Sequence, residues 1–213
     1  VVLCFFGDGA VNEGAFHEAL NVSALWDLPV VYIIENNRYG MGTALDRASS
    51  VKDLYQRGSA YGIPRRDVNG MDLLAVRSVL GEAIDRARKE KRPTLIEAET
   101  YRYRGHSMSD PGKYRTKEEV EEMMKSDPVL LWGKRLIEQE RFAQPELDAL
   151  DQEVLAQMED AVRFVEQSPD PPAQSIYEDV YVRSPYINMK AAEKDPAWRA
   201  ALREDRVPEA LPP

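Results

Sequence analysis

The first part of the chain alternates short apolar runs with a longer segment of helical spacing. Val1 to Phe6 (VVLCFF) is continuously apolar and rich in β-branched and aromatic residues, the pattern of a strand buried on both faces. Gly7-Asp8-Gly9 follows, where the backbone can turn sharply and approach a ligand closely. From Gly14 to Leu28, the residues Ala15, Phe16, Ala19, Leu20, Val22, Ala24, Leu25 and Trp26 predict a largely buried helix that Pro29 stops. Val30 to Ile34 repeats the buried-strand pattern and runs into Glu35-Asn36-Asn37. Strand, crossover helix and strand make a βαβ unit with parallel strands. Asp8 and Asn37 then fall at the carboxyl ends of those strands, where open α/β sheets bind ligands.

Further along, Arg38 to Thr43 (RYGMGT) reads as a glycine-broken loop, and Val51 to Gly62 as a short helix that Pro64 ends. Arg65 to Asn69 is a brief strand. Asp72, after Gly70-Met71, is placed to cap a helix from Leu73 to Lys91, whose Leu73, Val76, Val79, Leu80, Ala83, Ile84 and Ala87 recur at helical spacing. Pro93 to Thr100 is another strand, with Glu97 and Glu99 on a face that meets polar surroundings. Tyr101 to Arg115 (YRYRGHSMSDPGKYR) is a loop rich in arginine, serine and glycine, placed as a lid near a phosphate site. Thr116 and Glu119 form a capping box for a helix to Met124. A second helix begins at Asp127-Pro128 and a long third one runs from Glu146 to about Gln167. Ser168-Pro-Asp-Pro-Pro breaks it. Ile176 to Arg183 alternates and reads as extended; residues 184–213 form a charged tail with one short helix near Pro196 to Arg203.

The sequence has 213 residues, enough for an α/β domain with a sizeable core. Its net charge of −9 argues against general nucleic-acid or anionic-membrane binding, because phosphate surfaces attract basic ones. No run approaches the roughly 20 apolar residues of a membrane span. The single cysteine, Cys4, lies in an apolar strand and reads as a small hydrophobe.

The candidate chemistry lies with Asp8 and Asn37. A carboxylate and an amide oxygen are hard donors of the kind magnesium takes, and magnesium completes its shell with phosphates and water. The turn after Gly9 leads to a helix N-terminus, which favours anions. A metal with a diphosphate is the natural occupant.

Gly7-Asp8-Gly9 followed at this spacing by Asn36-Asn37 resembles the thiamin diphosphate signature of thiamin-dependent enzymes. More widely, GDGAVNEGAFHEALNVSALWDLPVVYIIENNRYGMGT and TYRYRGHSMSDPGKYRT are similar to the alpha subunits of the 2-oxoacid-decarboxylating component of pyruvate dehydrogenase complexes, from about Val1 to about Arg183. The resemblance implies a thiamin diphosphate-binding fold, a parallel sheet flanked by helices with a helical C-terminal extension. It divides the chain into residues 1–115 as the cofactor-binding part, 116–183 as its helical continuation and 184–213 as a tail. It implies thiamin diphosphate and magnesium as cofactors. Asp8, Asn37 and the main-chain carbonyl of Tyr39 are the implied metal ligands. Gly9, Ala10 and Asn12 lie beside the diphosphate, and His106 and Arg102 act at the reacting end.

The implied activity is oxidative decarboxylation of pyruvate with acetyl transfer to a lipoyl carrier, in a heterotetramer with a beta subunit and alongside a lipoyl-bearing acyltransferase. The beta subunit supplies the glutamate that activates the cofactor. The implied compartment is the bacterial cytoplasm or the mitochondrial matrix. Relatives carry a substantial segment before the point matching Val1, so the chain reads as the C-terminal part of such a subunit. Ser107 matches a serine that mitochondrial relatives phosphorylate; it is expected here to structure the loop without regulation. A branched-chain 2-oxoacid or acetoin-type alpha subunit is the nearest alternative, although branched-chain loops place a histidine where this chain has Gly105. An inactive truncated product is the alternative from a different class.

Overall fold

The computed structural model describes residues 1–177. The chain divides into two compact units, Val1–Leu147 and Asp148–Pro213. The first is an α/β layer structure built on β1 (Val2–Gly7), β2 (Val30–Asn36), β5 (Arg65–Asn69) and β6 (Thr94–Glu99), all parallel and in the order β1-β2-β6-β5. Between the first two strands lie a 3-10 turn, Asp8–Asn12, and α1 (Gly14–Leu25).

Of the two central strands, β2 carries apolar residues on both sides, as its continuous run predicted, because helices cover both faces of the sheet; β6, expected to turn Glu97 to polar surroundings, buries that residue instead. On one face Tyr32, Ile34 and Leu95 meet Phe16 and Leu20 of α1 and Leu54 and Ile63 beyond it. On the other, Val31, Ile33, Ile96 and Val68 meet Ala83 and Ala87 of α3 (Leu73–Glu90). The cap expected of Asp72 is present: its Oδ1 accepts from the N–H groups of Leu74 and Ala75, both at 3.0 Å. The expected burial of β1 on both faces is corrected: it is the sheet edge among the described residues, and its Leu3 and Phe5 are exposed.

Several expectations are corrected. α1 is not largely buried: only Phe16, Leu20 and Ser23 are, and Leu25 and Trp26 face solvent. It also stops earlier, because Asp27 turns into the left-handed region (φ 51°). The segment expected as a helix after Val51 is a 3-10 run, Leu54–Tyr61, whose Gly58 lies against the Leu95 side chain. The loop after β2 contains a two-residue hairpin, β3 (Tyr39–Gly40) against β4 (Thr43–Ala44), followed by the short α2 (Leu45–Ala48). The capping box at α4 (Lys117–Met124) is half formed. Thr116 Oγ1 accepts from Glu119 N at 3.1 Å, but the Glu119 carboxylate accepts from the Tyr101 hydroxyl at 2.9 Å.

Next comes α5 (Pro128–Glu138), with Asp127 capping the Val129 and Leu130 amides. α6 (Gln144–Gln167) is exposed over Asp148–Gln167, its apolar Val154, Met158 and Phe164 included. Ala173–Tyr177 is a 3-10 turn, so the extended segment expected from Ile176 does not begin there; its remainder and the tail lie outside the described residues. No helix among the described residues is long and apolar enough to cross a membrane.

Leu95 is fully buried where β6, α1 and the 3-10 run converge. Leu95→Ala is expected to cost about 2–5 kcal/mol in urea-unfolding free energy, the range for a large core truncation. A loss under about 1 kcal/mol would contradict this packing.

Candidate active site

The parallel register sets Gly7 of β1 opposite Glu35 of β2. Asp8 and the Asn36-Asn37 pair therefore leave the sheet side by side at its carboxyl edge. Asp8 is 2 % exposed, and its own N–H and that of Asn37 lie near its carboxylate and favour its charged form. One oxygen, Oδ1, is buried with no partner. Burial pushes its pKa up, against the pull of those two N–H groups and of the Arg102 guanidinium. An oxygen anion in this condition is suited to a cation, since an unpaired buried charge is costly.

The turn after Asp8 lies close against the β3–β4 hairpin. A Cβ on Gly9 would come within 3.2 Å of the Gly40 Cα, and one on Gly40 within 3.3 Å of the Gly9 Cα. Glycine at both positions brings the main chain of Gly9 and Ala10 beside that of Tyr39 and Gly40. Asn37 Oδ1 accepts from Tyr39 N at 3.3 Å, and the Tyr39 carbonyl accepts from Arg102 Nη1 at 3.4 Å. Carbonyl and amide oxygens carry two acceptor sites each, so both keep one for another donor or a cation.

Arg102 also donates to the Met41 carbonyl at 2.6 Å and to the Tyr114 hydroxyl at 2.7 Å. Tyr114 passes the link on to Asp110 Oδ2 at 2.7 Å, and the same oxygen accepts from His106 N at 2.8 Å. Asp110 Oδ1 accepts from Gly112 N at 2.9 Å. These donors, His106 N and Gly112 N foremost, hold the Asp110 carboxyl down at about 2, below the 3.8 of an ordinary aspartate. His106 thus joins the cluster through its main chain while its side chain extends from an exposed loop. The Arg115 guanidinium stands 5.2 Å from the Tyr101 ring, 5.2 Å from Tyr114 and 5.8 Å from Tyr39, and donates to the Arg104 carbonyl at 2.8 Å. Arg115 thus packs its cation among the rings of Tyr39, Tyr101 and Tyr114.

Residues 1–174 match the model of the Dehydrogenase E1 component family. The chain belongs to that family. Its E1 relatives include the pyruvate dehydrogenase E1 component subunit alpha of Rhizobium meliloti (strain 1021), 46 % identical over 181 residues, or 84 % of this chain and 52 % of the relative. The mitochondrial testis-specific alpha subunit of Rattus norvegicus is 44 % identical over 196 residues, covering 91 % of this chain and 50 % of that one. The alpha subunit of Rickettsia bellii is 44 % identical over 182 residues, 85 % and 56 % respectively. The chain spans about half the length of the curated relatives it matches.

Of the expected site residues, Asp8, Gly9, Ala10, Asn37, Tyr39 and Arg102 converge on one edge of this E1 chain. Asn12, at the end of the same turn, accepts from Arg57 Nη2 through its Oδ1 at 2.8 Å. Arg57 also donates to the Val11 carbonyl at 2.6 Å and to Ser49 Oγ at 2.8 Å, so it anchors the turn after Asp8. Sequence reasoning missed Arg57, Asp110, Tyr114 and Arg115. The run Ser109-Asp110-Pro111-Gly112 carried the one available signal, since an aspartate before Pro-Gly readily caps its own turn. His17 of α1 shares a hydrogen bond with the Tyr61 hydroxyl through Nδ1 at 2.8 Å.

Asp110→Ala is expected to speed hydrogen exchange at the His106 and Gly112 amides, with β2 and β6 unchanged; unaltered exchange at both amides would sink the hub assignment. The contribution of Asp110 is present above about pH 3.8 and is lost as pH falls towards about 2, because its folded pKa is depressed.

Proposed function

We propose that this chain acts as the alpha subunit of a thiamin diphosphate- and magnesium-dependent pyruvate dehydrogenase that passes an acetyl group to a lipoyl carrier. The orphaned Oδ1 of Asp8, buried beside the Gly9–Gly40 approach, carries the reading. A magnesium ion fits the donor set of Asp8, Asn37 and the Tyr39 carbonyl, all hard oxygens. Clusters of three or more His, Cys, Asp or Glu with metal-site geometry are absent among the described residues, in keeping with a site that leans on an amide, a carbonyl and phosphate oxygens.

Thiamin diphosphate, when bound, supplies the electron sink for loss of carbon dioxide from a 2-oxoacid. This chain's residues bind and orient. The main chain of Gly9 and Ala10, with Asn12, lies beside the diphosphate. Arg102 holds the Tyr39 carbonyl and the 101–115 loop in register and offsets part of the charge of Asp8. His106 stands at the mouth, where the acyl group is handed on. Ser107 Oγ, 3.0 Å from Ser109 Oγ, helps structure the loop.

Pyruvate is favoured over a branched-chain acid by Gly105. A Cβ there would fall 2.2 Å from the Asp110 carbonyl oxygen, so the histidine of branched-chain loops does not fit this loop conformation. A beta subunit completes the active site in a tetramer with two of each chain, and a lipoyl-bearing acyltransferase accepts the product. The compartment is the bacterial cytoplasm or the mitochondrial matrix.

Calorimetric titration of thiamin diphosphate with magnesium into the complete alpha/beta complex is expected to show binding that Asp8→Ala reduces at least tenfold, since even outer-shell substitutions at metal sites cost about 10–100-fold. Undiminished binding by a folded Asp8→Ala complex would refute the assignment.

A further inference from the structure

Glu97 lies midway along β6, 3 % exposed, in a strand otherwise packed with apolar side chains. Both of its oxygens are engaged. Oε1 accepts from Asn36 Nδ2 at 2.6 Å and Oε2 from the Tyr55 N–H at 2.9 Å. Asn36 is itself only 4 % exposed, and its Oδ1 accepts from the Arg38 N–H at 2.9 Å. That second bond fixes the amide: the oxygen faces Arg38, so the nitrogen faces Glu97. A continuous relay therefore runs from the β6 carboxylate through Asn36 to the backbone of Arg38.

Arg38 is the residue that needs holding. Its φ of 67° is left-handed, an uncommon and unfavourable conformation for an arginine. Asn37 and Tyr39, the two neighbours that this kink aims, are metal ligands in the function proposed above. Burial raises the Glu97 pKa, so the charged form is disfavoured at this depth, and a leucine would serve packing alone better.

We infer that Glu97 is a positioning residue: acting through Asn36, it holds the left-handed turn at Arg38 that presents the Asn37 side chain and the Tyr39 carbonyl to the divalent cation. The inference rests on the cofactor reading given above.

A polarity swap tests it. Glu97→Gln turns an N–H against a donor, and Asn36→Asp sets one carboxylate against another. In the double variant the introduced amide donates to the introduced carboxylate, whose second oxygen still accepts from Arg38 N–H. The introduced carbonyl oxygen accepts from Tyr55 N–H. Every bond is remade in reverse, with one negative charge kept.

Thiamin diphosphate with magnesium is titrated calorimetrically into complete alpha/beta complexes, and thermal midpoints are recorded without cofactor. Each single variant is expected to bind about 10–100-fold more weakly, as outer-shell substitutions at metal sites do, and the double variant within about threefold of wild type. Folded single variants that bind like wild type would reduce Glu97 to a structural residue. So would a double variant whose midpoint recovers while its binding stays weak. If the single variants do not fold, the double variant decides alone by the same criterion. The Asp8→Ala complex separates the two levels. Binding by wild type, lost in Asp8→Ala but intact in Glu97→Gln, overturns only this inference; equal binding by wild type and Asp8→Ala overturns the cofactor reading beneath it.

Discussion

Parallel pairing of β1 with β2 is the constraint on which the rest depends. With Gly7 opposite Glu35, Asp8 and Asn37 leave the sheet together, and the Asn37 N–H lies near the Asp8 carboxylate. A slip of one residue would turn Tyr32 and Ile34 from one core to the other and separate the two oxygens. Burial of β2 on both faces removes that freedom, since Val31, Ile33 and Ile34 are each at most 3 % exposed. The glycine contact at Gly9 and Gly40 then converts strand register into a fixed distance between two turns.

Three carboxylates at this edge differ because their surroundings differ. Asp8 and Glu97 are buried, and desolvation raises both. Asp110, on an exposed loop, collects donors that outweigh its smaller desolvation and stays ionised far into acid. Around them a strongly acidic chain gathers Arg38, Arg57, Arg102 and Arg115, so the net charge of −9 says little about the local field. Guanidinium groups suit this work, because each can bridge several carbonyls and rings at once, as Arg102 and Arg115 do.

Much of this was legible in the sequence. The strands β1, β2, β5 and β6, the helix α3 and its Asp72 cap follow from periodicity and capping chemistry, which are local. The ligand candidates Asp8 and Asn37 follow from oxygen type and strand-end position. What was missed depends on contacts distant in sequence. The β3–β4 hairpin is stabilised beside Gly9, the 3-10 run is shaped by Gly58 against Leu95, and Arg57 reaches back to Val11 and Asn12. Glu97 looked like an ordinary polar residue of an alternating strand, and only the fold shows its two donors. Trp26 shows the opposite failure: helical spacing marked it as core, but the side chain lies beyond the edge of the layer it should cover.

The strand order has a further consequence, for synthesis. β2 makes its second set of pairs with β6, and between them the chain travels out to β5 and back along α3. During translation β1 and β2 emerge before β6, and the inner edge of β2 stays open until β6 leaves the ribosome. Non-local parallel pairing of this kind is slow to form, and an open apolar strand edge invites the wrong partner. A strand buried on both faces in the finished sheet thus waits for its neighbour, and a nascent chain stalled before Thr94 would hold that edge bare.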